Sequence, residues 1–294
     1  MSTATVIPWP FNRRHHKPKN IHITPRRMDF PFSSVERYWF GGDPVMTHFL
    51  NALSLTFPDG ERFFVDSVRA FRDQITDPEL QQEISGFIGQ EAMHSLEHQS
   101  FNELLMQMGY EKEAQSGIKF AQQMLARGRK FLSPKQQLAA TTALEHITAI
   151  LAHRLLSNPK WTKKMRPEVR VLWLWHAIEE IEHKAVAFDV FEQVGGSYKM
   201  RTRLLFYATL YLAAYTGRYT WVLIKKDKAY RRPLAIAKGL WSLLGPFGFV
   251  TTTLPSYLSF YRPGFHPWQQ DNSALIAAAK QELEQLNHRW QPHD

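Results

Sequence analysis

From Pro44 onward apolar residues recur every three or four positions, and no run alternates apolar with polar residues as a half-buried strand does. That period predicts helices. The first runs from Pro44 to Gln74, with a bend at "FPDG", Phe57 to Gly60. The second opens at "TDPE", where Thr76 or Asp77 caps and Pro78 suits the first turn, and it ends near Gly109. "GIKFAQQMLARGRKF" reads as a shorter connecting helix. Ser133 caps a third long helix with Pro134 at its first position, ending near "SNPK". A fourth begins at "RPEVR" and is closed by Gly195 and Gly196. Four long helices, each followed by a breaker, predict an all-α antiparallel bundle over residues 44–197.

The flanks differ. Residues 1–43 hold "RRHHKPKNIHITPRR", a basic arm with no acidic residue and no regular period. Residues 198–294 form an aromatic-rich helical extension expected to pack on the bundle. Within it, Leu204 to Ile224 is apolar on nearly all sides and about as long as a bilayer crossing requires. Gly217 and Arg218 interrupt that run, while Arg201, Arg203, Lys225 and Lys226 flank it. A second apolar run covers Leu240 to Tyr261, with the basic "KKDKAYRR" between the two. The primary expectation is packing helices; peripheral membrane contact is the alternative.

Composition narrows the chemistry. The chain has no cysteine, which excludes disulfides, thiolate metal sites and cysteine nucleophiles. The net charge is +9, but no aromatic-interleaved basic groove follows the arm, so nucleic acid is not an expected partner. The N-terminus lacks the apolar core of a secretory signal, which points to a cytoplasmic protein, membrane association being the variant. A homodimer stays open.

The candidate chemistry lies in "HAIEEIEHKAVAFD", residues 176–189. On a helix His176, Glu180 and His183 share one stripe; Glu179 lies close to it and Glu182 is turned away. "GQEAMHSLEHQ" repeats the Glu-x-x-His spacing as Glu91 and His94, with His98 one turn further along. The other two helices supply Glu61 and Glu145, each among mainly apolar neighbours. Thirty residues separate Glu61 from Glu91 and thirty-five separate Glu145 from Glu180, enough for a helix to turn and return to the same depth. Buried carboxylates without partners are costly, so cations are their natural companions.

This arrangement, one Glu from each of two helices and Glu-x-x-His from each of two others, resembles the ferritin-like di-iron and di-manganese carboxylate proteins. The likeness implies two Fe ions, with Mn/Fe or Zn as variants, on Glu61, Glu91, His94, Glu145, Glu180 and His183. His176-x-x-x-Glu180-x-x-His183 is similar to the fourth helix of the di-iron arylamine N-oxygenases, which implies His176 as a seventh ligand. "FPDGERFF", "EAMHSLEH", "LEH", "HAIEEIEHK" and the late "YRPGFHPW" look like a bacterial family described as predicted metal-dependent hydrolases.

The expected function is activation of dioxygen to oxidise a small apolar or aromatic substrate, with an external electron donor. The alternative is a hydrolase whose two metals activate water. His98, His153, Glu179 and Asp189 are candidates to support the ligands from behind. His146 is expected on an outer face, and Trp173 and Trp175 are expected to pack.

Overall fold

A computed structural model describes residues 17–32 and 35–287. Among these residues the secondary structure is helical, apart from one isolated bridge between Phe40 and Met165. Helix α1 (Pro44–Arg69) starts where Asp43 Oδ1 accepts from the backbone N–H of Val45 and Met46. It is shorter than expected, and Arg72–Gln74 forms a separate 3-10 turn. Asp77 caps α2 (Pro78–Leu105). The expected stop near Gly109 is a kink through Met106–Tyr110, where Gly109 at φ 96° takes a conformation other residues rarely adopt. The chain then continues into α3 (Glu111–Phe131). A capping box of Ser133 and Gln136 opens α4 (Pro134–Ser157).

The expected fourth helix is two helices. After the short α5 (Pro159–Thr162), α6 (Pro167–His183) stops at Lys184, and α7 (Val186–Gln193) follows. Neither proline nor glycine marks the break. Lys184 Nζ is held there by the Gln270 carbonyl and Asn272 Oδ1, groups remote in sequence. The extension comprises α8 (Tyr198–Lys226), α9 (Pro233–Leu244), α10 (Leu254–Ser259) and α11 (Ser273–Asn287).

Helix α1 packs on α2, and α4 packs on α6 and α7; α8 covers the seam between α1 and α4 while α11 lies on α6. Leu205, Tyr215, Tyr219 and Leu223 bury one face of α8, and no described helix is long and apolar enough to cross a membrane. Trp175 is fully buried among the bundle helices, and its truncation to Ala would cost about 3–5 kcal/mol.

From Lys17 to Phe32 the basic arm, irregular as its sequence suggests, is packed on the protein. Ile21 and Phe30 are buried. The segment lies so close to α2 that a Cβ on Gly86 would meet the Ile23 carbonyl at 2.4 Å, and one on Gly89 would meet Pro25 at 2.3 Å. These two glycines let the strap seat. The part of the basic arm before Lys17 lies outside the described residues.

Candidate metal centre

Glu61 on α1, Glu91 and His94 on α2, Glu145 on α4, and His176, Glu180 and His183 on α6 converge in the bundle interior. Each is less than 5% exposed. Ligand atoms of Glu61, His94 and His176 lie within 4.8 Å of one another, as do those of Glu91, Glu145 and His183, and those of Glu91, His94 and Glu180. The groups share Glu91 and His94, so the seven side chains form one continuous cluster rather than separate sites.

Second-layer contacts fix how the imidazoles face this cluster. Gln90 Nε2 donates to Glu182 and to the Thr24 carbonyl, which turns Gln90 Oε1 toward His183 Nδ1 at 2.9 Å. His183 Nδ1 therefore carries hydrogen, and Nε2 faces Glu91 at 3.1 Å and Glu145 at 3.4 Å. His94 Nε2 lies 3.2 Å from Glu179 Oε2, and Nδ1 is turned toward Glu180 and Glu91.

A longer chain of bonds sets His176. Pro58, inside α1, has no N–H, so the carbonyl of Ser54 four residues earlier loses its helical partner. Asn102 Nδ2 donates to that carbonyl at 3.0 Å, and its Oδ1 accepts from Ser54 Oγ at 2.8 Å. Ser54 Oγ then accepts from His98 Nδ1 at 2.9 Å, and His98 Nε2 accepts from His176 Nδ1. His176 Nε2 is left facing Glu180 Oε1 at 2.7 Å, a separation that requires a proton or another cation between them.

The surroundings are dry. Phe57 lies against His98 and His176, Trp173 stacks on His176, Trp175 meets His94 edge-on, and Phe87 meets His183. Burial pushes the Glu61 and Glu145 carboxyls well above their usual range; neighbouring acids add to this, and His183 counters it only in part at Glu145. Burial acts the same way on Glu180, but the hydrogen bond from His176 and the charge of His176 and His183 outweigh it and hold that group well below the usual range. His183 is lowered by burial and raised more strongly by Glu145, Glu180 and Glu91, so it lies well above the ordinary histidine range. Without metal, protons occupy the position of a cation.

The donor set fits divalent metal on a direct observation. Both oxygens of Glu91 and of Glu145, Glu61 Oε1, Glu180 Oε2, both nitrogens of His94 and His183 Nε2 are buried without a hydrogen-bond partner. Native interiors rarely leave so many polar atoms orphaned together, and nitrogen and oxygen donors of this kind suit Fe, Mn and Zn. A cavity of about 70 Å³ abuts the cluster; Glu61, His176 and Glu180 form its polar end, and Leu53, Phe57, Leu151 and Leu212 its apolar walls.

Of the supporting candidates, Glu179 lies behind His94 and His98 behind His176. Asp189 and His153 depart from expectation. Asp189 pairs with His266 at 2.8 Å, because the break after His183 starts a new helix with a different facing. His153 contacts Gln270 and Asn272 at the protein surface. His146 is buried rather than outward, its Nε2 bonded to the Ser256 carbonyl where α10 covers α4. Glu182 is turned from the cluster but is fully buried, bound by Arg26, Gln90 and Lys280.

Sequence reading missed Gln90, Ser54, Asn102 and Arg26. Only Pro58 signalled any of them, since a proline inside a helix frees a carbonyl that something must satisfy. No curated protein and no solved structure matches the chain. One family model does, over residues 24–271, so the chain belongs to the family described as predicted metal-dependent hydrolases.

Proposed function

We propose that the cluster holds two divalent cations and that the protein is a hydrolase acting on an apolar substrate bound against Glu61, His176 and Glu180. The concentration of orphaned carboxylate and imidazole atoms carries this reading, and the family description supports hydrolysis over other metal chemistry. Glu61, His94 and His176 would hold an ion at one end of the cluster and Glu91, Glu145 and His183 at the other, with Glu180 grouped with the shared Glu91 and His94. When bound, such ions polarise a carbonyl or phosphoryl oxygen and acidify water. The chain's own part is positional. Gln90, Glu179 and the Asn102–Ser54–His98 series hold the imidazoles, and Phe57, Phe87, Trp173 and Trp175 exclude bulk water.

A second reading rests on the donor types: two Glu-x-x-His pairs and two further glutamates, beside an almost wholly apolar cavity, also suit iron and dioxygen. In that case the ferritin-like resemblance extends to chemistry, and dioxygen with an external electron donor joins the substrate. Protein loaded with Zn, Mn or Fe(II) under nitrogen is assayed on short-chain and long-chain esters. Turnover without dioxygen or reductant supports hydrolysis. Oxygen uptake confined to the iron form with reductant replaces it with oxidation.

A further inference from the structure

A large apolar groove lies outside the metal cluster. Helices α1, α4, α8, α9 and α10 enclose about 670 Å³, within the roughly 300–1,000 Å³ typical of small-molecule sites. Leu53, Leu151 and Leu212 line both this groove and the small cavity at Glu61, His176 and Glu180, so they form the wall between the two.

The mouth of the groove is unusual for a protein surface. Trp221, Leu240, Leu244 and Leu254 line it and are each at least 45% exposed. Beside them Leu234 and Phe247 are 85% exposed and Trp241 66%. On α8, Phe206, Leu210, Ala213, Gly217 and Trp221 follow a helical stripe that leads into the same mouth. Large contiguous apolar surface of this kind marks a ligand groove or an interaction face.

Charge selects the occupant. From Lys225 to Lys238 the chain carries six basic residues and one acidic residue, Asp227, whose carboxylate is bound by Arg37, His48 and Tyr110. Exposed tryptophan, leucine and phenylalanine bordered by lysine and arginine match an anionic bilayer surface. Pairing the face with a second copy of itself would set two such basic segments in one interface. No described helix can cross a membrane, so the contact is with one leaflet.

We propose that the α9–α10 face docks on anionic membrane, and that the groove beneath it carries the hydrocarbon chain of a lipid-like substrate toward the metal cluster. Docking stands independently of the metal reading; the route rests on it. Residues lining the wall, above all Leu212, then set which chains pass.

The test uses the full chain with vesicles of phosphatidylcholine alone or mixed with phosphatidylglycerol. Wild type sediments with the mixed vesicles, loses them at high salt, and has Trp241 quenched by brominated lipid relative to Trp241→Phe. Trp241→Asp and Arg231→Gln/Arg232→Gln each weaken partitioning at least about tenfold. Both sets of changes are exposed, and unchanged circular dichroism and metal content show that the bundle is intact. No partitioning of wild type, or self-association abolished by Trp241→Asp, overturns docking.

Leu212→Trp tests the route. Vesicle binding and metal content persist, while the capacity for hexadecanoate to displace a fluorescent fatty acid falls at least about tenfold; unchanged displacement overturns the route. Absence of metal from wild type would instead overturn the proposed function and leave the vesicle result standing.

Discussion

Glu179 and Glu182 sit on α6 beside Glu180, and all three are buried, yet the two sides of the helix have different counter-charges. On one side Arg26 reaches Glu179 at 2.8 Å and Glu182 at 2.9 Å, and Lys280 reaches Glu182 at 2.6 Å. Those cations come from the N-terminal strap and from α11, the two ends of the described chain. On the other side Glu61, Glu91, Glu145 and Glu180 face one another with only histidines as ionic partners among the described residues. Burying a carboxylate is tolerable only with a compensating charge or proton. The chain supplies that charge fully for Glu182 and in part for Glu179, whose carboxyl burial still pushes up to about 8, and supplies no cationic Arg or Lys for the inner four, which is the physical signature of a cation site.

The largest contrast follows from deleting a built-in cation. Arg26→Ala leaves Glu179 without its cation and Glu182 with Lys280 alone, and should destabilise the protein by about 3 kcal/mol in urea unfolding. A loss below about 1 kcal/mol would mean that solvent reaches these acids and that the contrast with the inner four is false. Removing His98 acts on the inner side without touching a carboxylate. His98→Ala should weaken metal affinity roughly 10–100-fold in chelator competition, because His176 loses the acceptor that orients it; affinity equal to wild type would remove His98 from the account.

Glu145→Gln should have opposite effects in the two states. It relieves a crowded acid in the metal-free protein and raises its stability by about 1 kcal/mol, while reducing the stabilisation gained on adding metal. Glu182→Gln should destabilise both forms. Equal behaviour of the two variants in thermal melts would erase the distinction.

The smallest effect is in pH dependence. Above about pH 6.5, His94 and His98, which burial holds well below that value, are neutral whether the chain is folded or not. Glu61, Glu145 and His183 are raised well above their usual values and keep protons in the fold that the unfolded chain releases. Stability of the metal-free protein should therefore fall as pH rises, by at most about 1.4 kcal/mol per pH unit for each retained proton. Metal replaces those protons, so the loaded protein should lack this contribution, while Glu179 and Lys184, pushed by burial to about 8 and about 7, titrate alike in both forms. Parallel slopes in the two forms would contradict this.

Local signals in the sequence carry much of this structure. Asp77 and Ser133 stand before prolines and cap α2 and α4, and the helical period places Glu61, Glu91 and Glu145 on inward faces. Spacing alone also puts His176, Glu180 and His183 on one stripe. What it does not contain is pairing between distant residues. The break after His183 is accompanied by Lys184 reaching Gln270 and Asn272, and it redirects Asp189 to His266. Arg26 in an apparently featureless basic stretch meets Glu182 more than 150 residues away. Gln90 and Asn102 look like ordinary polar helix residues until their partners are seen. Each is an interaction between groups that no local period relates.

Metal stoichiometry tests the central claim most directly. Purified protein is stripped with chelator, reloaded with Fe(II), Mn or Zn, freed of excess, and analysed for metal by mass spectrometry, alongside Glu180→Ala. The account predicts about two ions per wild-type chain and fewer than one in the variant, both with native circular dichroism. Fewer than one ion per folded wild-type chain with every metal tried would contradict it.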